Sequence, residues 1–88
     1  MYADRYSEEI AKKLSKLKKK DHKQYGIVRK KMEQILDNPQ HEHKDLHYNM
    51  KGLQRVHIGH FVLVFRIEHQ NKTISFEDYD HHDKIYGS

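Results

Sequence analysis

The single proline in this chain, Pro39, marks the place where the hydrophobic pattern changes. Proline pushes the residue before it, here Asn38, out of the helical region of backbone conformation, so a helix is expected to end there. Before Pro39 the apolar residues recur every three or four positions, and after it apolar and polar residues alternate. The first pattern is typical of helices and the second of strands. Helices followed by strands predict an α+β domain, with the helices packed on one face of a sheet.

The first half of the chain is predicted to form a helical hairpin. Ser7 is suited to cap a helix that ends near Lys20 and has one apolar stripe, formed by Ile10, Leu14 and Leu17. A second helix of similar length is expected to stop at Asn38, and its apolar positions are Tyr25, Val28, Met32, Ile35 and Leu36. Residues 2–6 are predicted to form a short strand ahead of the hairpin.

Three strands are predicted in the second half. Residues 53–60 alternate between polar and apolar, and Gly59-His60 forms a turn into residues 61–68, a continuous apolar run typical of a central strand covered on both faces. Residues 69–72 then close a hairpin into a third strand over 73–80. The chain, residues 1–88, is therefore expected to be a single domain of order β-α-α-β-β-β with a largely antiparallel sheet.

The composition excludes several classes of protein. The chain has no cysteine, which excludes disulfides, thiolate metal sites and a cysteine nucleophile. Its longest uncharged apolar run, Phe61 to Phe65, is far too short to cross a membrane, and the first residues do not form a signal peptide. We therefore expect a soluble cytoplasmic protein with no membrane partner.

Charge and histidine are unevenly distributed. Residues 1–38 contain eleven Lys or Arg and six Asp or Glu, a net charge of +5, whereas residues 39–88 contain six and seven, a net of −1. Eight of the nine histidines lie in the second half. Histidine is the side chain that ordinarily changes charge near neutral pH, so acid–base chemistry is expected in the second half. The lysine run at 18–20 has two interpretations, a solvated helix face or a surface that binds phosphate.

The candidate site follows from the alternation in the first predicted strand of the second half. If Val56 and Ile58 face the core, then Arg55 and His57 share the opposite face, away from the helices. Residues 51–57, His60 and the segment 80–86 could meet there. A solvated surface role remains open for each histidine. Zinc binding by the segment 80–83 is disfavoured, because neighbouring histidines diverge in an extended chain and this segment has no HxxxH spacing.

Three motifs occur in a recognisable order. They are Leu46 followed by Lys51-Gly52-Leu53-Gln54-Arg55-Val56-His57-Ile58, then Phe61-Val62-Leu63-Val64-Phe65, and finally His81-His82-Asp83-Lys84-Ile85-Tyr86. In this order and spacing the chain resembles the RelE/ParE superfamily of toxins from type II toxin–antitoxin systems. The histidine at 57, with the histidine and the aromatic residue at 82 and 86, is most similar to the YafQ branch.

The resemblance implies a ribosome-dependent mRNA endoribonuclease that inhibits translation. Such an enzyme uses the ribose 2′-hydroxyl as nucleophile, so no metal or cofactor is expected. Arg55 and Lys51 would bind the phosphate and stabilise the transition state, while His57 and His82 would act as acid and base. Tyr86 would stack on a base or orient a phosphate. His60 stands one residue from the position of a YafQ aspartate and is also a candidate.

The resemblance also implies partners, and it leaves alternatives. A RelB-like antitoxin is expected, with a heterotetramer as one candidate assembly, besides the ribosome and mRNA. The basic first half would bind ribosomal RNA. Two family arginines are absent, because Val62 and His82 occupy their positions. Their absence favours an imidazole-based mechanism. It also leaves open a ParE-like toxin that binds DNA gyrase without cutting RNA, or an inactive relative that acts only in an antitoxin complex.

Overall fold

Every helix and strand expected from the sequence is present in a computed structural model, which describes residues 1–40, 44–45 and 52–87. The elements are β1 (Ala3–Tyr6), α1 (Glu8–Lys20), α2 (His22–Asp37), β2 (Lys44–Asp45), β3 (Gln54–Ile58), β4 (Phe61–Glu68), β5 (Thr73–His81) and α3 (His82–Tyr86). Two of them, β2 and α3, were not predicted. The α+β class with helices on one sheet face is confirmed.

One aspartate makes the turn between the two long helices. Ser7 starts α1 by accepting a hydrogen bond from the Ile10 N–H at 3.1 Å. At the other end of α1 the backbone N–H of Asp21 donates to the Leu17 carbonyl at 2.7 Å. The Asp21 carboxylate then accepts from the Gln24 N–H at 3.1 Å and so caps the start of α2. Because one residue closes one helix and opens the next, the hairpin is tight.

The sheet has five strands in the order β1-β5-β4-β3-β2. β1 pairs with β5 in parallel, and the other pairs are antiparallel. The predicted central strand is β4, which lies between β3 and β5. The register of β4 against β5 shifts between Val64 and Phe65, so the pairing skips Glu77 on β5. This bulge changes the direction of the β5 side chains beyond it.

The helical hairpin covers one face of the sheet and forms the main core with it. This core contains the buried residues Ile10, Leu14, Val28, Met32, Ile35, Leu36, Ile58, Leu63, Phe65, Ile74, Phe76 and Tyr79. Alternation along β4 sends Val62 and Val64 to the opposite face, where a smaller cluster forms with Leu53, Ile85 and Tyr86. That face was expected to be open along its length, but α3 covers one end of it. Over the described residues, no helix combines the length and apolar character that crossing a bilayer requires.

Candidate active site on the sheet face opposite the hairpin

Strand β3 presents Arg55 and His57 on the face away from the helical hairpin, as the sequence predicted. Val56 packs against the main core and Ile58 belongs to it, so the side chains between them leave the sheet on the other side. His57 is exposed, whereas Arg55 is partly buried. The strand therefore supplies one accessible imidazole and one sheltered guanidinium.

Helix α3 brings His82 and Tyr86 to the same face. The two residues are four positions apart and thus lie on one side of the helix, with ring centroids 4.6 Å apart. The His57 ring is 5.7 Å from the His82 ring and 6.1 Å from the Tyr86 ring, the latter at an interplanar angle of 18°. The three rings form a cluster, called here the histidine cluster, in which two imidazoles share one aromatic neighbour.

Arg55 completes the site from β3, on the side of the Tyr86 ring that faces the sheet. Its guanidinium carbon lies 4.8 Å from the centroid of the Tyr86 ring, in cation–π contact. The Arg55 Nε and Nη1 atoms and the Tyr86 hydroxyl are buried, and they have no hydrogen-bond partner among the described residues. Buried donors are normally paired, so these atoms have hydrogen-bonding capacity that the described residues do not use.

Val62 forms the floor of the site. It pairs directly with His57 across the β3–β4 ladder, is fully buried, and packs with Ile85 and Tyr86 of α3. The resemblance described above predicts an arginine at this position. Here an aliphatic side chain instead anchors the short helix that supplies His82.

His60 is not part of the histidine cluster. It lies in the turn after β3, where Gly59 has φ +63, and its ring stacks on His81 at 6.3 Å. It also lines a groove of about 690 Å³ between this turn and the α1–α2 turn. Neither the histidine cluster nor Arg55 lines this groove. Its carbonyl accepts the His82 N–H at 2.8 Å, so His60 contributes to placing α3. Lys51, the remaining predicted phosphate ligand, lies outside the described residues.

His81, which the sequence offered only as a disfavoured zinc ligand and as part of the terminal motif, caps α3. Its Nδ1 accepts the Asp83 N–H at 3.2 Å, so the imidazole takes the place that Ser, Thr, Asp or Asn usually fills. A helix-capping histidine gives no pattern in the sequence, because histidine is not a preferred capping residue. Within the described ranges no group of three or more His, Asp or Glu side chains could hold a metal ion.

Lys13 of α1 forms ion pairs with two carboxylates beside the site. Its ammonium donates to Asp78 at 2.7 Å and to Asp80 at 2.8 Å. Partial burial acts to raise the pKa of Asp80, but the hydrogen bonds from Lys13 and from the His81 N–H, together with the nearby lysine charges, outweigh it and hold that pKa below its ordinary value. Burial acts to lower the pKa of Lys13, and the two carboxylates raise it well above the ordinary value.

This fold and this site define a class of small toxin. The family described as "ParE toxin of type II toxin-antitoxin system, parDE" matches residues 2–86. The chain belongs to this family, within the RelE/ParE-like toxin superfamily. A putative toxin RelE4 of Methanocaldococcus jannaschii is 45% identical over 87 residues, which cover 98% of this chain and 92% of that protein. An uncharacterised protein of Methanosarcina mazei is 48% identical over 87 residues, 98% of this chain and all of that protein.

Solved toxin structures share the fold at lower identity. A metal-bound toxin from Helicobacter pylori superposes with a TM-score of 0.81 and 19% identity over 98% of this chain and all of that one. The Escherichia coli DinJ–YafQ complex gives a TM-score of 0.76 and 22% identity over 99% of this chain and all of that one. The isolated E. coli RelE toxin gives a TM-score of 0.76 and 17% identity over 92% of this chain and 84% of that one. The fold prediction is thus confirmed.

Proposed function

We propose that this toxin is a metal-independent endoribonuclease that cuts mRNA on the ribosome and so inhibits translation. The observation that carries the proposal is the histidine cluster, in which two imidazoles face each other above a buried guanidinium with unpaired donors. RNA cleavage by its own 2′-hydroxyl needs a base, an acid and a cation, and needs no nucleophile from the protein. The histidine cluster and Arg55 together offer these three groups on one face of the sheet.

The roles follow from the position of each group. His57 and His82 are the acid–base pair, because an imidazole can accept or donate a proton near neutral pH. Arg55 stabilises the charge that develops on the phosphorane, since its Nε and Nη1 are desolvated and aimed at no acceptor of the described chain. Tyr86 holds the guanidinium through its ring and offers its hydroxyl to a phosphate or a base.

The partners we propose are an antitoxin, the ribosome and mRNA. Similarity to a toxin solved in the DinJ–YafQ complex supports an antitoxin partner of the RelB kind. A heterotetramer of the two is the assembly we propose. The first 38 residues, with a net charge of +5, would bind ribosomal RNA through the exposed lysines of α1 and α2. We place this activity in the cytoplasm, where translation occurs.

Cleavage on programmed ribosomes tests the proposal. Wild-type protein should cut bound mRNA and leave a cyclic phosphate on one side and a 5′-hydroxyl on the other. The double variant His57→Ala, His82→Ala should lose cleavage while it keeps the circular dichroism spectrum of the wild type. Unchanged cleavage by this variant would contradict the assigned roles.

A second candidate function is gyrase inhibition without RNA cleavage. It is supported by the match to the ParE toxin family and by Val62 at the position of a family arginine. In that case the protein should block supercoiling by purified DNA gyrase and leave ribosome-bound mRNA intact. The two assays, run on one preparation, separate the candidates, and failure in both together with harmless expression in cells would indicate an inactive relative.

A further inference from the structure

Two further arginines lie on the sheet face that carries the candidate site, beyond the end that α3 covers. The side chain of Arg66 on β4 leaves the sheet on the same face as Val64, because the residues between and after them pack into the main core. The register places Arg66 beside Ser75 of β5, and Ser75 beside Arg5 of β1. Residues paired across neighbouring strands present their side chains on the same face. Arg66 and Arg5 therefore share a face with Arg55.

We propose that Arg55, Arg66 and Arg5 form a track, called here the arginine track, which binds the sugar–phosphate backbone of single-stranded RNA beyond the reacting groups. The inference rests on the proposed function, since it extends the path of the same substrate across the sheet. It assigns a binding role to Arg66 and Arg5, which lie outside the histidine cluster.

The spacing of the three arginines suits a chain of successive phosphates. Arg55 pairs with Val64, two residues before Arg66, so the two arginines are diagonal neighbours with Cα atoms about 7–8 Å apart. Arg66 and Arg5 are separated by the one strand that carries Ser75, or about 9–10 Å at two strand spacings. Flexible guanidinium side chains at such intervals can reach consecutive backbone phosphates of an extended strand.

The positive charge of the track is available to a ligand. Within the part of the chain that the structure describes, none of these three arginines pairs with a carboxylate. The nearby β5 carboxylates, Asp78 and Asp80, are already paired with Lys13. Glu68 lies on the same face two residues after Arg66, but the three arginines together with Lys13 still outnumber Glu68, Asp78 and Asp80, so the surface keeps a net positive charge.

Gly52 lets Arg66 lie close to the strand that carries Arg55. A Cβ atom at position 52 would be 2.9 Å from the Arg66 Nη1, so the guanidinium rests against the bare backbone just before β3. The cation that Val62 does not supply is thus present on the same strand and the same face, four residues further along.

Polar neighbours favour RNA over an acidic protein segment as the ligand. Ser75 and Thr73 stand beside the arginines on this part of the face, and the apolar cluster of the face lies at the other end, under α3. An amphipathic antitoxin helix would require an apolar strip to pack against. A phosphodiester backbone requires only charge and hydrogen bonds.

Fluorescence anisotropy with a short labelled oligoribonucleotide tests the track. The probe carries 2′-O-methyl riboses, so it cannot be cut, and it is titrated with the full chain over a range of salt concentrations. The variant Arg5→Gln, Arg66→Gln should bind about tenfold more weakly, and its slope of log affinity against log salt should be smaller by about 1.4, the value for two lost single-strand phosphate contacts. Lys72→Gln, Lys84→Gln removes the same charge from exposed positions outside both the track and the basic first 38 residues, and should bind as the wild type does.

Wild-type affinity and slope in the arginine variant would overturn the inference, as would an equal loss in the lysine variant. A polyglutamate peptide in the same assay covers the other ligand class. If the arginine variant loses polyglutamate binding but keeps RNA binding, the track is a surface for acidic protein and the inference is wrong. If it loses RNA binding while the wild type fails to cut mRNA on ribosomes, the track stands and the proposed nuclease activity does not.

Discussion

The imidazole rings of His57 and His82 lie 5.7 Å apart, although one belongs to a strand and the other to the last helix. His82 reaches this position because its backbone N–H is bound by the His60 carbonyl and because Ile85 of α3 packs on Val62 and Val64. The pair therefore depends on the docking of a five-residue helix.

Replacing either imidazole by alanine should slow mRNA cleavage on ribosomes by about 10²–10⁴-fold, the usual contribution of a general acid or base. The double variant should be little worse than the single variants, because the two residues act as one unit. Single-turnover cleavage measures the effect, and His22→Ala on the exposed side of α2 is the control. Independent, multiplying losses would mean that the two histidines do not act as a pair.

The contact between Arg55 and Tyr86 predicts different results for two substitutions of the tyrosine. Tyr86→Phe keeps the ring against the guanidinium and removes only the hydroxyl, so cleavage should fall less than in Tyr86→Ala, which removes both. Arg55→Lys should be as damaging as Arg55→Ala to within about tenfold, because a lysine does not reproduce the planar guanidinium. Equal rates for Tyr86→Phe and Tyr86→Ala would show that the ring has no part in the site.

Lys13 should contribute stability that depends on pH in the acid range. The pKa of Asp80 is lower in the folded chain than in the unfolded chain, so the interaction stabilises the fold above the unfolded value of about 4 and is lost as the pH falls through the folded value. Lys13→Met should lower the free energy of unfolding by about 1 kcal/mol at neutral pH and by less at about pH 3. Urea unfolding at both pH values measures this.

Lys12→Met is the matched control for Lys13, because Lys12 is exposed and has no ion pair within the described ranges. It should change the free energy of unfolding by less than about 0.5 kcal/mol at either pH. A loss for Lys13→Met that is the same at both pH values would indicate lost packing of the lysine stem in place of the ion pair.

Two glycines should respond to alanine in opposite directions. Gly52 has φ +88, which alanine adopts only with strain, and the added Cβ would press on Arg66, so Gly52→Ala should destabilise the fold by about 1–2 kcal/mol. Gly26 lies inside α2 with nothing within 4 Å of the added atom, and Gly26→Ala should stabilise by about 0.5–1 kcal/mol. Thermal unfolding measures both, and a stabilising Gly52→Ala would contradict the strain at that position.

The main elements could be predicted because each has one buried side. The sequence shows burial directly through the spacing of its apolar residues. Examples are Ile10 and Leu14, four positions apart on α1, and Ile74 and Phe76, two positions apart on β5. The parallel pairing of β1 with β5 could not be read this way, since it joins Ala3 to Thr73 across most of the chain. Helix α3 was not predicted because five residues do not form a stable helix alone. It is stabilised by tertiary packing of Ile85 and Tyr86.

The candidate site was predictable in part. Alternation on β3 was enough to place Arg55 and His57 on one face, but nothing local in the sequence relates them to His82 and Tyr86, which the family resemblance brought in. His60 lies apart from them because the chain turns at Gly59, which has φ +63. The hydrophobic pattern of the sequence gives no indication of this backbone conformation. The arginine at position 5 could be linked to the site only through the strand order.

The ion pair between Lys13 and the β5 carboxylates also bears on how the chain avoids self-association. β1 pairs with residues 73–76 only, so residues 77–81 of β5 form a bare edge among the described strands. An exposed edge can add a strand from a second molecule and seed aggregates. Here the edge is interrupted by the bulge at Glu77 and crossed by the Lys13 side chain, which places a charged group where an incoming backbone would have to bind. The lysine that pairs with Asp78 and Asp80 thus also hinders the addition of a strand from a second copy of the chain to this edge of β5.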